Sequence, residues 1–392
     1  MVKRVLIISY YWPPSGGAGV QRWLKFSKYL PEFGWQPTVI TVKLEDATYP
    51  ALDPGMEKEI PGDLRVIRTP SRNIFRFYKQ IFRTQQVPSG GFANQETNSF
   101  SQKVARFIRG NFFLPDPRKG WNSYAFKAAQ KILTEESGFE AIITSSPPHS
   151  TQLIGLKLKK KFHIPWVADL RDPWTDIYYY DQLYPGMLAR RINKRYERRV
   201  LETADRIVTV GPSLQTLFST KYSLPEKQVA VVYNGYDEDD FSHLPAEKEA
   251  LFTVTYVGTI SDVYPIGNFV EIFAEMLRNG AGMKLRFVGD ISAQQRKRLA
   301  SIPSEHMEYV DYVNHSKAIE YMERSHLLLL VIPKHASSKG ILTGKLFEYL
   351  ASGKPVLGIG PPDGDASAVL KECQAGEMID FTDKERIKVL LN

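Results

Sequence analysis

Short runs of apolar residues, rich in valine and isoleucine, alternate with helical patterns along the whole chain. Continuous apolar strands separated by helices are typical of parallel sheets that helices cover on both faces. The pattern therefore predicts an α/β protein with two doubly wound parallel sheets. In the first half the predicted strands are 4–10, 37–43, 65–70, 140–146, 165–170, 206–211 and 229–233, and in the second half they are 252–258, 284–289, 307–313, 326–333, 355–360 and 378–381.

A polar segment separates the two series of strands and helices. The 392 residues are also too many for one hydrophobic core and suit two domains of ordinary size. We expect an N-terminal domain over residues 1–237, a linker over 238–250 and a C-terminal domain over 251–392. An irregular insertion at about 71–122 interrupts the first domain. The chain stops partway through a helical pattern, which predicts a truncated C-terminal domain.

The places to look for chemistry follow from this fold class. Ligands of open α/β sheets bind beside the carboxyl ends of the strands. Two such domains that face each other would form a cleft between these edges. We therefore expect the functional residues to lie in the loops that follow the strands.

The chain carries a formal net charge of +8 and a single cysteine, Cys373. One cysteine excludes an internal disulfide and fits a reducing compartment. No apolar run approaches the ~20 residues that span a bilayer, and the N-terminal run is too short for a signal peptide. We therefore expect a cytoplasmic protein. No nucleic-acid partner is predicted, because no binding motif accompanies the charge.

The positive charge is concentrated in two clusters. Between residues 71 and 110, seven bases face one acid and are interleaved with aromatic residues, and six more bases lie between Arg190 and Arg199 on a predicted helix. Basic residues mixed with aromatics can mark a surface that contacts anionic lipid. The alternative is a solvated helix face whose aromatics pack on the core. Both interpretations stay open for the first cluster, and the solvated face is favoured for the second.

The first strand is followed by the glycine-rich sequence Ser15-Gly16-Gly17-Ala18-Gly19, which opens a helix. Backbone N–H groups and the positive helix end can bind an anionic or hydroxylated ligand. Gly16 and Gly17 let such a ligand approach the backbone. A dinucleotide-binding fingerprint is not matched, because Arg22 stands where the third glycine belongs. A purely structural turn is the alternative.

Several segments, read together, carry a family resemblance. They are Pro13-Pro14 with Gly16-Gly17, Ala204 to Ser213, Val232 to Asp237, Tyr256-Val257-Gly258-Thr259, Phe287-Val288-Gly289-Asp290 and Gly344 to Val356. In order and spacing these segments resemble the family 4 glycosyltransferases, and the resemblance covers nearly the whole chain. It implies a GT-B fold, in which two Rossmann-like doubly wound domains face a cleft. It also implies retention of anomeric configuration and no required metal or cofactor.

The helix predicted near Gly344 also has a physical interpretation of its own. It follows a buried strand, so its free N–H groups and dipole suit a diphosphate, to which Thr343 or Lys345 can add a hydroxyl or an ammonium. Glu348 lies one turn further on the same side, and a carboxylate suits the two hydroxyls of a ribose. In the family the matching glutamate holds the donor ribose. The alternative is an exposed lysine–glutamate pair.

The sequence departs from the family pattern at two places. Gly340 stands where many members carry an acid, and Thr259 stands where many carry an arginine. The usual basic clamp on the leaving diphosphate is therefore missing, and Lys345, with Lys334 or Lys339 in reserve, would have to replace it. We expect the nucleotide-sugar donor to contact Gly258, Thr259, Gly289, Val313, Thr343, Gly344, Lys345 and Glu348.

Four residues at strand ends of the N-terminal domain are catalytic candidates. His149 can hydrogen-bond the transferred sugar, or it is only a neighbour of a helix cap. Asp169, Arg171 and Asp172 place three charges after a buried strand, which a buried structural role rarely requires. Asp169 or Asp172 can orient an acceptor hydroxyl, and Arg171 can pair with one of them or reach phosphate. The alternative is a self-contained Arg–Asp pair that fixes the loop.

No metal site is predicted. Asp237-Glu238-Asp239 and Asp363-Gly364-Asp365 fit the Asp-x-Asp string of metal-dependent transferases. The first belongs to the linker motif, however, and the second to a turn before a helix. The histidines show no ligand spacing, and one cysteine cannot supply a structural zinc site.

Together these residues predict retaining transfer of a sugar from a nucleotide-diphosphate donor to a glycan or lipid-linked acceptor. The expected setting is cell-surface polysaccharide synthesis on the inner membrane face. Attack on the face from which the nucleotide departs, with the leaving phosphate as base, is preferred because no carboxylate nucleophile is evident. Two alternatives stay open: a GT-B nucleotide-sugar epimerase, and a catalytically silent subunit that binds a nucleotide sugar.

Overall fold

The computed structural model describes residues 2–72, 100–241 and 249–391. Its contacts divide the chain into two compact units, and the chain passes from the first to the second between Tyr233 and Asn234. This boundary lies a few residues before the Asp237 end that was predicted for the N-terminal domain. Residues 73–99 of the predicted basic insertion and residues 242–248 of the predicted linker lie outside the described residues.

The N-terminal unit is built on one parallel sheet of seven strands. The strands are β1 (Lys3–Ile8), β2 (Trp35–Val42), β3 (Arg65–Thr69), β4 (Phe139–Ser146), β5 (Trp166–Leu170), β6 (Arg206–Thr209) and β7 (Val229–Val231). Their order in the sheet is β3-β2-β1-β4-β5-β6-β7. The described helices of this unit are α1 (Ala18–Tyr29), α2 (Phe100–Phe112), α3 (Asn122–Glu135), α4 (Gln152–Phe162), α5 (Met187–Thr203) and α6 (Pro212–Lys221).

The C-terminal unit repeats this plan with six parallel strands. The strands are β8 (Phe252–Val257), β9 (Met283–Val288), β10 (Met307–Val310), β11 (Leu327–Val331), β12 (Val356–Ile359) and β13 (Gly376–Ile379), in the order β10-β9-β8-β11-β12-β13. The described helices are α7 (Gly267–Arg278), α8 (Ala293–Leu299), α9 (His315–Arg324), α10 (Gly344–Ala351), α11 (Asp365–Glu372) and α12 (Lys384–Leu391). Each of the thirteen apolar runs predicted from the sequence overlaps one of these strands, so the predicted α/β class with two doubly wound parallel sheets is confirmed.

The two faces of each sheet are buried in separate cores. In β1, Leu6 and Ile8 pack into one core of the N-terminal unit, and Val5 and Ile7 pack into the other. The side chains of β11 alternate between two cores of the C-terminal unit in the same way. Successive side chains of a strand point to opposite faces, so burial of both faces requires an unbroken apolar run. This requirement explains why the strands could be recognised in the sequence.

The strand order reverses once in each sheet. The reversal lies between β1 and β4 in the N-terminal unit and between β8 and β11 in the C-terminal unit. Connections leave toward opposite faces at such a point, which opens a crevice at the carboxyl edge of the sheet where ligands bind. The loops that follow these four strands, about residues 9–17, 147–149, 258–263 and 332–343, are therefore the first places to look for binding sites.

One part of the predicted irregular insertion is helical. Residues 100–112 form α2, and its inward face carries Gln102, Ala105, Arg106 and Arg109, which recur at helical spacing. Two of these inward residues are arginines, so the face did not show as an apolar stripe. Further along the insertion, Trp121 is fully buried and donates a hydrogen bond to Thr69 Oγ1 over 2.8 Å.

A buried carboxylate fastens α5 to its surroundings. Glu197 has no exposed surface, and its carboxylate accepts hydrogen bonds from Thr175 Oγ1 (2.7 Å), Lys221 Nζ (2.8 Å) and Tyr222 Oη (2.8 Å). Burial and the neighbouring Glu197 raise the pKa of the Tyr222 hydroxyl, which keeps it a hydrogen-bond donor. This network thus holds the inward face of α5. The residues on the outward face of α5 take no part in the network.

Gly155, in the middle of α4, marks a close contact with β5. A Cβ at this position would lie 2.2 Å from Nε1 of the buried Trp166. We predict that Gly155→Ala lowers the free energy of unfolding by about 1–3 kcal/mol through overpacking, although alanine is the better helix former. Thermal melts check this, with Gly267→Ala in α7, where an added Cβ meets no atom within 4 Å, as the control. Equal melting temperatures for Gly155→Ala and the wild type would contradict the packing.

Candidate functional site

The carboxyl edge of the N-terminal sheet is organised around the buried carboxylate of Asp169, the fourth residue of β5. Its Oδ1 accepts a hydrogen bond from Arg22 Nε over 3.2 Å and lies 3.1 Å from Arg22 NH2. Its Oδ2 accepts from Trp23 Nε1 over 2.7 Å and from Ser145 Oγ over 2.8 Å. The residue has no exposed surface. Asp169 is therefore a structural anchor, which corrects the expectation that it orients an acceptor hydroxyl.

Arg171 does not form the predicted pair with an aspartate. Its guanidinium donates to backbone oxygens instead: to Ser146 O over 3.2 Å, to Gly19 O over 3.0 Å and to Pro147 O over 3.4 Å. The cation that pairs with Asp169 is Arg22. Arg171 thus bridges the loop after β4 to the start of α1, because its planar guanidinium offers several donors in fixed directions.

His149 lies beside these loops, in the short turn that precedes α4. Its imidazole stacks on the Trp174 indole with ring centroids 4.9 Å apart. Burial, assisted by the Arg171 charge, lowers the pKa of His149 to about 3, so the ring is neutral at physiological pH. Nδ1 is buried without a hydrogen-bond partner among the described residues. A neutral imidazole with an unused nitrogen at a strand end fits the predicted hydrogen bond to a sugar hydroxyl.

Asp172 differs from Asp169 in its surroundings. It is half-buried, and its carboxylate has no hydrogen bond within the described parts of the chain. Burial raises its pKa, against the opposing effect of the Arg171 charge. The Asp172 carboxylate also raises the pKa of the Tyr179 hydroxyl, in addition to burial. Of the two predicted aspartates, Asp172 is the one that remains available to an acceptor hydroxyl.

Two buried arginines, Arg109 and Arg118, lie near the Tyr179 side chain. Burial lowers the pKa of Arg109, and the neighbouring Arg118 charge lowers it further. Both guanidiniums also interact with Tyr11 and Tyr179. Two cations held close together favour an anion between or beside them. These arginines were not predicted, because they are distant in sequence from the strand-end loops.

The glycine-rich loop after β1 is partly committed to the fold. The Gly16 N–H donates to Ala51 O over 3.0 Å, so this amide is used within the fold, and the ligand approach predicted at Gly16 stays a prediction. Gly17 immediately precedes α1 and is exposed, with φ +93°, a conformation that glycine adopts without strain. The ligand contact predicted for Gly17 stays a prediction.

In the C-terminal unit two glycines end adjacent strands. Gly258 and Gly289 follow β8 and β9, and both have φ +119°. A Cβ on Gly289 would lie 2.7 Å from Gly258 O, and a Cβ on Gly258 would lie 2.8 Å from Lys345 Nζ. Both positions therefore disfavour a side chain because of their positive φ, and Gly289 also excludes one on steric grounds, because the added Cβ would meet backbone. The absence of a Cβ at Gly258 is what admits the lysine ammonium to the crevice.

Lys345 lies in the first turn of α10, beside the reversal point between β8 and β11. Its ammonium donates to Tyr256 Oη over 2.9 Å and lies 4.2 Å from the centroid of the same ring. Burial lowers the pKa of Lys345, whereas the Tyr264 and Glu348 side chains raise it. An ammonium offers three donors, so the bond to Tyr256 leaves others for an anionic ligand. Tyr256 was not predicted, because nothing in its strand pattern distinguishes it from a core residue.

The start of α10 carries the features of an anion site. Thr343 precedes the helix, yet its hydroxyl forms no capping bond, and Oγ1 is buried without a partner in the described structure. Gly344 is the first helical residue, followed by Lys345. Free N–H groups at a helix start, a hydroxyl and an ammonium are the groups that bind phosphate. The three residues predicted from the sequence, Thr343, Gly344 and Lys345, therefore lie at the start of this helix.

Glu348 is held by a residue that the sequence did not reveal. His315 Nε2 lies 2.9 Å from Glu348 Oε1, and His315 Nδ1 lies 4.0 Å from Asp240 Oδ2. His315 begins α9 and Asn314 caps that helix, with Asn314 Oδ1 accepting from the Lys317 N–H over 2.9 Å. The histidine orients the Glu348 carboxylate, so the predicted alternative of a solvated Lys–Glu pair does not describe it.

The other residues predicted for this unit each have their own contacts. Thr259 O accepts from Tyr256 Oη over 2.9 Å, and Val313 packs against the core. Lys339 pairs with Asp363, and Lys334 lies over the Phe381 ring at 5.6 Å. Among the three lysines considered for the missing clamp, Lys345 is therefore the one placed beside Gly258.

The two Asp-x-Asp strings have structural partners. Asp237 is buried and its carboxylate accepts from the Asp239 N–H over 3.2 Å. Asp363 pairs with Lys339, and Asp365 begins α11. Each string thus has a local role in a turn or at a helix start.

Comparison with known proteins identifies the family. The model of Glycosyltransferase Family 4 matches residues 16–240, more than half of the chain. The chain belongs to this family. The sequence of this chain matches no curated protein.

Solved structures show the same fold at low sequence identity. Sucrose-phosphate synthase from Thermosynechococcus elongatus is 16% identical, with TM-score 0.59, over 99% of this chain and 88% of its own. TarM is 8% identical, with TM-score 0.64, over 100% of this chain and 91% of its own. WaaG, a glycosyltransferase involved in lipopolysaccharide biosynthesis, is 14% identical, with TM-score 0.56, over 99% and 89%. This family 4 glycosyltransferase therefore has the predicted GT-B fold.

The buried Arg22–Asp169 pair gives a prediction about the stability of this glycosyltransferase. Arg22→Leu leaves the Asp169 charge buried without its cation and should lower the free energy of unfolding by about 3–5 kcal/mol. The double variant Arg22→Leu/Asp169→Leu should recover part of this loss, because an apolar pair avoids the desolvation cost. Urea-induced unfolding measures both. A single variant that unfolds at the wild-type urea concentration would contradict the anchoring role.

His149 gives a prediction about the pH dependence of stability. Its pKa is about 3 in the folded protein and 6.5 ordinarily, so the unfolded chain binds more protons between these values. The contribution of His149 to stability is therefore full above about pH 6.5 and falls as the pH falls toward 3. His149→Phe keeps the stack on Trp174 and should lose less melting temperature than the wild type between about pH 7.5 and about pH 4.5. Equal losses in the two proteins would contradict a neutral His149.

Proposed function

We propose that this family 4 glycosyltransferase takes its sugar from a nucleotide diphosphate held by the C-terminal unit. The observation that carries this proposal is the group formed by Thr343, Lys345 and Glu348 on α10, beside the topological reversal of the sheet. A hydroxyl, an ammonium and free N–H groups suit the diphosphate, and the carboxylate that His315 orients suits the ribose hydroxyls. No other described group of the C-terminal unit combines these chemistries at a strand end.

The acceptor is proposed to bind the N-terminal unit. Asp172 accepts the hydrogen bond of the attacking hydroxyl, and His149 contacts a hydroxyl of the transferred sugar. Arg22, Asp169 and Arg171 hold the loops that carry them. We infer that the acceptor is a glycan or a lipid-linked glycan precursor. We also infer that the reaction takes place in the cytoplasm and contributes to the synthesis of cell-surface polysaccharide. Support for this setting comes from the fold shared with WaaG, whose process is lipopolysaccharide biosynthesis.

The proposed chemistry retains the configuration at the anomeric carbon. The bond between that carbon and the diphosphate oxygen breaks, and the acceptor oxygen attacks from the same face. The departing phosphate oxygen takes the acceptor proton, so no carboxylate nucleophile is needed. Lys345 and the N-terminal amides of α10 stabilise the negative charge that develops on the diphosphate. With these positive groups in place, we propose that the reaction requires no metal ion.

One observation favours a second candidate function. Residues 259–265, directly after β8, contain no base, so only Lys345 and the helix start would neutralise the leaving group. A catalytically silent subunit that binds a nucleotide sugar for a partner enzyme would need no more than this. Donor turnover separates this alternative from an enzyme, and dependence of turnover on an acceptor separates transfer from epimerisation.

The donor site is tested by thermal shift with UDP-, GDP-, ADP- and TDP-sugars. One nucleotide should stabilise the wild type by about 2.7 kcal/mol at about 100 times its Kd. Glu348→Ala and Lys345→Met should each reduce the shift strongly, because each removes a proposed ligand contact. Glu320→Ala removes an exposed carboxylate that pairs with Lys317 on α9 and should respond like the wild type.

The outcomes separate the possibilities. A shift that is equal in the wild type, Glu348→Ala and Lys345→Met would place the donor elsewhere. A shift that Glu348→Ala and Lys345→Met reduce as predicted, but without nucleotide release even with a panel of glycan acceptors, would favour the silent subunit. For an active enzyme, loss of the preorganised ammonium in Lys345→Met should lower kcat by roughly 100- to 1,000-fold.

A further inference from the structure

Four large apolar side chains are exposed together where α2 ends and α5 begins. Phe112 is 75% exposed, Met187 is 90% exposed and Leu188 is 72% exposed, and Tyr184 lies between them in the chain at 47%. We call these four residues the apolar tip. Monomeric proteins rarely leave contiguous apolar side chains in water, and such patches usually mark an interaction site.

The apolar tip is held in place by the fold. Asn111 Nδ2 donates to Tyr184 O over 3.0 Å, and the Gly186 N–H donates to Asn111 Oδ1 over 2.8 Å. A Cβ on Gly110 would lie 2.2 Å from Leu183 O, so α2 contacts the segment before α5 closely. Asn111, which immediately precedes Phe112, therefore links the end of α2 to the residues before Met187. The tip is a built feature and not a loose chain end.

A basic face continues from the tip along α5. Arg191, Lys194 and Arg195 are exposed, and helical spacing places them on the same outward side as Met187. None of the three forms an ion pair within the described part of the chain. The opposite side of the helix is buried and includes Glu197 with its network. We call these three residues the basic face, and the fold makes no visible use of their charge.

The exposure of two neighbouring residues on α2 runs against the solvated-face interpretation of the first cluster. That interpretation requires bases in water and aromatics in the core. Arg106 is instead buried, at 6% exposed, whereas Phe107 and Phe112 are exposed. Phe107, like Phe112 of the apolar tip, thus faces outward.

We propose that the apolar tip and the basic face together dock this protein on an anionic lipid bilayer. The apolar side chains enter the boundary between headgroups and acyl chains, and the bases lie against the lipid phosphates. Charge complementarity selects this occupant, because an apolar group flanked by unpaired bases matches a surface that is apolar inside and negative outside. No helix in the described residues is long and apolar enough to cross a membrane. The proposal goes beyond sugar transfer, and it assigns a role to the bases of α5 for which a solvated face was favoured.

The basic face is tested with the full chain and lipid vesicles. Sedimentation should show binding to vesicles of phosphatidylcholine with about one third phosphatidylglycerol, and little binding to phosphatidylcholine alone. The triple variant Arg191→Gln/Lys194→Gln/Arg195→Gln should bind the anionic vesicles on the order of 100-fold more weakly. The matched control Arg296→Gln/Lys297→Gln/Arg298→Gln removes three exposed bases from α8 of the C-terminal unit and should bind like the wild type.

The apolar tip is tested separately. Met187→Ser/Leu188→Ser should weaken binding to the anionic vesicles at least tenfold and leave a residual binding that salt abolishes. Met187→Trp should give a tryptophan emission that shifts to the blue on anionic vesicles and not on neutral ones. These exposed substitutions should leave the melting temperature within about one degree of the wild type, which keeps folding out of the comparison.

Three results would overturn the proposal. They are equal binding of the wild type to neutral and anionic vesicles, a loss of binding in the α8 control as large as in the triple variant, and an unshifted emission of Met187→Trp. A concentration-dependent dimer that Met187→Ser/Leu188→Ser dissolves would assign the tip to a second copy of the chain instead. None of these measurements involves a nucleotide, so their failure is distinguishable from failure of the proposed donor site.

Discussion

The N-terminal unit depends on one constraint, the burial of a carboxylate at the carboxyl edge of its sheet. A buried charge must be paired and hydrogen-bonded, and Asp169 meets this requirement with Arg22 and Trp23 from α1 and Ser145 from β4. These contacts fix where α1 begins and how the β4 loop leaves the sheet. Arg171 adds a second link between the same elements. The positions of His149 and Asp172 follow from this frame.

In the C-terminal unit the corresponding constraint is the absence of side chains. Gly258 and Gly289 bring two strand ends together so closely that a Cβ on either would meet another residue. The space left at Gly258 is occupied by the Lys345 ammonium, which donates a hydrogen bond to Tyr256 Oη. A cation thus reaches the crevice from the helix side, whereas the loop after β8 supplies none. This arrangement offers a physical account of how the chain can lack the usual basic clamp.

Much of the fold could be read from the sequence, because strands that are buried on both faces require unbroken apolar runs. Lys345 and Glu348 could be predicted together, because helical spacing of three residues places them on one side, and Thr343 could be added because it immediately precedes the helix. Partners that are distant in the chain could not be predicted. Arg22 and Asp169 are 147 positions apart, and His315 and Glu348 are 33 apart. The helix α2 was missed for another reason, since two arginines occupy the inward face that normally shows an apolar stripe.

The central claim is that a nucleotide diphosphate binds at the start of α10 beside Gly258. Hydrogen–deuterium exchange, measured with and without the best-stabilising nucleotide, tests this claim directly because free backbone N–H groups are the proposed ligands. The account predicts slower exchange at Thr259 and at residues 343–345, because the neighbouring Gly258, Ile260 and Leu346 N–H groups already donate to backbone oxygens. Unchanged exchange at both segments, with slower exchange at residues 17–20 before and within α1, would contradict it and move the nucleotide to the N-terminal unit.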